Sequence, residues 1–257
     1  MSESLLPTYQ VIDIGGLLLL AFVTAAMVWR IRSGSIDFPR LGKARAAAAD
    51  GATAKPRFLT QAISVLLLDV GASRPLRTCR TAKWSSHILI FWGFVFTVVA
   101  TTLAVFMKPE GAVLPLDHPV KLFGNAGGVL LVVGCSAMFY ARYQESGSVW
   151  HLSRSDYFLV ALLFTAASGF LTEDAIYAFG RVSSITPFVY WTHMAIIVAL
   201  LATAPYTKFT HAFYKPTWLL YQRLTGEPVL PGVESPYPMQ PLAGTASGFR
   251  ALDQEGN

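Results

Sequence analysis

The sequence predicts an all-α integral membrane protein, a bundle of five transmembrane helices with the amino terminus outside and the carboxyl terminus in the cytoplasm. Three observations lead there. Of the 257 residues, 53% are hydrophobic and only 14% charged, where a soluble domain carries roughly 25% charged residues. Five separate apolar stretches approach the ~20 residues that cross a bilayer. Lysine and arginine gather in alternate connections between those stretches, which fixes a direction.

The first stretch covers residues 11–29 and holds Asp13 near its outer end. Next comes a short apolar run, residues 58–70, interrupted by Gln61 and Asp69; it is too short to span and reads as an interfacial amphipathic helix. The second span, residues 84–107, is uncharged throughout. The third is 122–141. The fourth begins at Tyr157, stays uncharged to Thr172, and meets Glu173 and Asp174 before Gly180. The fifth, 182–207, has His193 as its one titratable group apart from tyrosine. Residues 44–56, rich in Ala and Gly, and 227–257, with five prolines and no apolar period, read as irregular. The division is therefore a membrane domain, 1–226, with a cytoplasmic loop at 30–83, followed by a proline-rich cytoplasmic tail, 227–257.

Residues 30–83 hold eleven of the twenty Lys and Arg; the other connections on that side bring the share to seventeen, leaving Lys108, Lys121 and Arg181 opposite. Topology thus accounts for the net charge of +5, and nucleic acid is not needed to explain it. The basic side is expected to face the cytoplasm, in the cell's inner membrane, with no signal peptide expected. Cys79 and Cys135 form no CxxC pattern, so the chain builds no four-cysteine cluster alone.

The five histidines are His87, His118, His151, His193 and His211. Ionisable groups within spans are costly and mark function. His193 and His211 lie 18 residues apart, which on an unbroken helix is five turns and about 27 Å, so both imidazoles would share one face, one in each leaflet. Pro205 lies between them and is expected to kink the helix. A bis-histidine haem takes a second imidazole from a neighbouring helix at the same depth. His87 on the second span pairs with His211; His118 pairs with His193; His151 remains a loop residue. Two stacked b-type haems would carry electrons between the membrane faces.

Residues 83–93, KWSSHILIFWG, resemble the haem-binding helix of the respiratory nitrate reductase gamma subunit family. His193 and His211, with Pro205, Tyr206, Thr207 and Lys208 leading into the second histidine, resemble that family's fifth helix. The stretches HPVKLFGN at 118–125 and SDYFLVALLFTAASGFLTE at 155–173 are most similar to the membrane subunits of heterodisulfide-reductase-like and dissimilatory sulfur-metabolism complexes. The resemblance implies five helices, b-type haem and quinone chemistry, with His87 and His211 on an inner haem and His193 on an outer one. It also implies a second histidine ten residues after the first on helix 2, where this chain has Thr97. The outer haem is then absent, or His118 replaces the missing ligand; His193, otherwise unexplained in lipid, favours replacement.

On this reading the chain passes electrons between quinone and a cytoplasmic iron–sulfur subunit of the heterodisulfide-reductase-like kind. Glu173 and Asp174 stand where a quinol would shed protons. Lys121 on the outer side and Arg80, Lys83, Arg142 and Lys208 on the inner side are placed for haem propionates. The chain itself has no substrate-reducing site. Two alternatives stay open: a haem-free membrane anchor of a redox complex, and a stand-alone cytochrome that reduces a soluble acceptor.

Overall fold

The computed structural model describes residues 9–35, 54–74, 81–107, 114–146, 154–180 and 183–225. Among these, all regular structure is helical. The order is α1 (Tyr9–Arg32), α2 (Ala54–Ser64) running into a π-helical turn (Val65–Gly71), α3 (Thr81–Met107), α4 (Pro119–Ser146), α5 (Arg154–Phe179), α6 (Ile185–Thr203), two 3-10 turns (Ala204–Tyr206 and Lys208–Thr210) and α7 (His211–Thr225). Among the described residues, five segments are long and apolar enough to cross a membrane: Val11–Arg32, Lys83–Met107, Pro119–Gln144, Tyr157–Phe179 and Ile185–Tyr221. The first four follow the expected spans to within a few residues. The irregular reading of 44–56 and 227–257 falls almost wholly outside the described residues, as do His151, Cys79 and Arg80.

The fifth span breaks where Pro205 is expected to kink it. Its α-helix stops at Thr203, and seven residues of 3-10 and bent backbone separate it from α7. Pro205, fully buried, sits at this break, where its ring and missing N–H are incompatible with a continuing α-helix. The same-face argument for His193 and His211 required an unbroken helix and therefore does not hold.

Packing is tightest between α3 and α4, and glycine is the cause. A β-carbon added to Gly93 would lie 2.8 Å from the Leu131 amide nitrogen and 2.9 Å from the Gly127 carbonyl oxygen. One added to Gly127 would lie 2.9 Å from both the backbone nitrogen and the methyl of Thr97, and one on Gly134 2.9 Å from the Ile90 nitrogen. Small residues let membrane helices touch backbone to backbone. The buried core continues into α5 and α6 through Leu131, Cys135, Leu159, Leu162, Ala166 and Leu200. Leu17, Leu18, Phe106 and Phe188 turn outward, each more than 60% exposed, as side chains facing acyl chains do.

Two elements hold the end of the bundle where α3 starts and α6 finishes. Arg30, in the last turn of α1, donates to the Pro205 carbonyl and lies over the Tyr206 ring. The helix break frees that carbonyl, and the guanidinium satisfies it. Phe58 of α2 joins Leu220 and Tyr221 of α7 around one apolar cluster, so the short helix read as interfacial lies against α7.

Candidate functional site

His87 occupies the second turn of α3 and is half-buried. His211 is exposed and opens α7 directly after the second 3-10 turn. Their ring centroids stand 6.3 Å apart with the planes at 58°. Two imidazoles ligating one metal ion from opposite sides, each nitrogen about 2 Å from it, place their centroids roughly 6 Å apart. The sequence reading brought these two residues together by depth and by resemblance, and the structure places them at this separation.

Ser73 prepares His87. Its hydroxyl lies 3.0 Å from His87 Nδ1 and 3.3 Å from the Val70 carbonyl. A serine has one proton and a carbonyl only accepts, so both contacts are satisfied together when Ser73 donates to Val70 and accepts from Nδ1–H. The neutral ring then presents its Nε2 lone pair, the form that binds metal. Ser73 is 2% exposed and holds φ at +47°, a left-handed conformation that costs a non-glycine residue about 1 kcal/mol or more and collects at functional sites. Two indoles keep the segment in place: Trp84 Nε1–H donates to the Ala72 carbonyl and Trp92 Nε1–H to the Gly71 carbonyl, both at 3.0 Å.

His193 lies near the middle of α6, half-buried against α5. Its Nδ1 is 2.8 Å from the Ser168 hydroxyl, which is 3.1 Å from the Thr165 carbonyl. The logic applied to Ser73 gives the same tautomer, with Nε2 as an acceptor. Gly169 makes room for this ring: a β-carbon there would be 3.3 Å from Cε1 and 3.7 Å from Nε2.

His118 is not brought to His193. It caps α4, its Nδ1 accepting from the Val120 amide at 3.3 Å and its carbonyl from the Leu122 amide at 2.9 Å. Lys121 and Asn125, one and two turns below it, both reach Glu173 of α5. Counting from there to Ser168, His118 lies roughly 12 to 18 Å nearer the Glu173 end than His193. Among the described residues no ring contact joins the two. The equal depth expected of them is not found. Thr97 is packed against Gly127.

The remaining predicted residues divide between the two ends. Lys121 Nζ is 2.7 Å from Glu173 Oε1, both side chains 17% exposed, and lies 5.0 Å from the centre of the Tyr177 ring. That carboxylate is its partner here. Asp174 is exposed. Lys83 and Arg142 are half-buried at the His87 end. Lys208 belongs to the second 3-10 turn at that end, though its side chain lies outside the described residues, as does Arg80 altogether. Gly93 and Gly127, residue types that suit either a close helix or a flat ligand, take a close helix; Gly128 takes the Phe170 ring.

Sequence reasoning missed the two serines. Ser168 carried a signal, a hydroxyl in an apolar span. Ser73 carried none, because its conformation is unusual for its residue type.

Together these features define a multi-pass helical membrane protein with an imidazole pair at one end of its bundle and a serine-held imidazole midway along it. Among known proteins, the chain is 32% identical over 141 residues to citrate utilization protein B of Escherichia coli, a match covering 52% of this chain and 36% of that protein. The chain thus spans about a third of the length of the curated relative it matches. No family profile and no solved structure matches it.

Proposed function

We propose that this chain is a membrane cytochrome b subunit that moves electrons between a quinone pool and a cytoplasmic iron–sulfur partner, with b-type haem held by His87 and His211. The observation that carries this reading is the imidazole pair at 6.3 Å with its Nδ1 braced by Ser73. Coordination number supports it. Among the described residues no three His, Cys, Asp or Glu side chains gather. Two imidazoles are too few for a zinc site, which takes three or four protein ligands. A porphyrin brings four nitrogens of its own and asks the protein for only two. Bound there, haem would supply one-electron chemistry.

The chain's residues position and protect that site. Ser73 fixes the tautomer and orientation of His87, and Trp84 and Trp92 fix the segment bearing Ser73. The break at Pro205 swings His211 to His87, and Arg30 holds the break. Arg30, Arg32, Lys83, Arg142 and Lys215 share this end, which suits a cytoplasmic face, haem propionates and an acidic docking partner. At the opposite end the exposed Asp174 is the freer carboxylate for a released proton, since Glu173 is engaged by Lys121 and Asn125. The membrane is the cytoplasmic one. The test is a reduced-minus-oxidised visible spectrum of the purified chain: a b-type band is expected, and a preparation that stays without one after haem supply sinks the reading.

A further inference from the structure

His193 is a half-buried imidazole in mid-span to which the proposed haem gives no task. Its Nε2 is a prepared acceptor, because Ser168 holds the proton on Nδ1. It lacks what a bis-imidazole site needs. The α3 residue at its depth is near Thr97, and the Thr97 backbone is pressed against Gly127. His118 lies roughly 12 to 18 Å away along the bundle. An acceptor at mid-span is reached through lipid, so its donor must sit on a lipid-soluble molecule. A backbone amide cannot serve, since those of the flanking helices are spent within the helices. The Cε1–Nε2 edge faces Gly169, and a side chain there would crowd the atom that does the accepting. Following α5, α4 and α3 in register, His193 stands about 12 Å along the bundle from His87.

We propose that His193, braced by Ser168 and given clearance by Gly169, is the hydrogen-bond acceptor for a hydroxyl of a lipid-soluble hydroquinone. The proposal rests on the quinone-linked reading above and names the site for that substrate. Nε2 accepts the O–H of the reduced ring and has no proton to offer the carbonyl of the oxidised ring. The site therefore prefers hydroquinone over quinone.

The full chain in lipid nanodiscs tests this, with binding of a short-tailed hydroquinone followed by tryptophan fluorescence and haem content read separately. Wild type is expected to bind the hydroquinone, and its dimethyl ether about tenfold or more weakly, the consequence of leaving a buried acceptor unpaired. His193→Phe and Gly169→Val are each expected to lose about tenfold or more in hydroquinone affinity with haem content unchanged. Gly169→Val leaves the imidazole in place, so it separates a blocked site from a lost side chain. Equal binding of hydroquinone and ether, unchanged affinity in both variants, or no binding by wild type overturns the proposal. Loss of haem in His193→Phe also overturns it, making His193 an axial ligand. If the wild-type chain takes up no haem, the cytochrome reading fails, while the hydroquinone affinities still decide this one.

Discussion

At one end of the bundle a serine hydroxyl holds Nδ1 of His87 at 3.0 Å, and a second imidazole stands 6.3 Å away. Midway along the bundle a serine holds Nδ1 of His193 at 2.8 Å, and no second ring contacts it among the described residues. The local preparation is the same: hydroxyl to the carbonyl three residues back, oxygen to the ring, lone pair outward. The surroundings differ. Around His87 the chain is irregular, with a π turn, a left-handed serine and a helix break that delivers His211. Around His193 the helices are regular, and α3 and α4 are pressed together by glycine. Imidazole preparation needs only a neighbouring hydroxyl, whereas here the second ring arrives on backbone that departs from the straight helix.

The largest test of this contrast removes the rings. His87→Ala and His211→Ala are each expected to abolish b-type haem in the purified chain, measured as haem per protein; full haem content in either variant breaks the comparison. Removing the braces sharpens it. Ser73→Ala is expected to weaken haem affinity by about 10- to 100-fold in a titration of the haem-free chain, the usual effect of losing a group that orients a ligand. Ser168→Ala should leave that titration unmoved. Gly93→Leu probes the glycine contact that closes off the middle. Its new side chain meets backbone atoms at 2.8 to 2.9 Å, so thermal unfolding in detergent should report a loss of about 1–3 kcal/mol or more. The smallest effect belongs to His118→Ala. Losing a cap costs about 1 kcal/mol, and haem content should not change; a fall in haem would return His118 to the role of ligand.

The spans and the His87–His211 pairing were legible because hydropathy and depth are one-dimensional properties of a chain. That position 97 holds a threonine was legible for the same reason. What faces Thr97 was not, because interhelical register depends on how Gly93, Gly127 and Gly134 let two backbones meet, and no periodicity within one helix encodes that. The phase argument that put His193 and His211 on one face failed. His87 and His211 meet through the break at Pro205, not along an uninterrupted helix. Lys121 illustrates a third kind of gap: a lysine near a helix start suits several anions, and only the fold shows that Glu173 is within 2.7 Å.

The contact between Thr97 and Gly127 has an evolutionary consequence. A histidine at position 97 would stand near the depth of His193, where a second ligand would have to be. With α4 backbone within touching distance of Thr97, that single replacement would meet a neighbour that cannot yield. A compensating change on α4 alone would separate the helices without offering any ligand in return. Each step on its own is a loss, so a second imidazole at this depth is reached only through a valley, and descendants of this sequence are held to the present packing of the two helices.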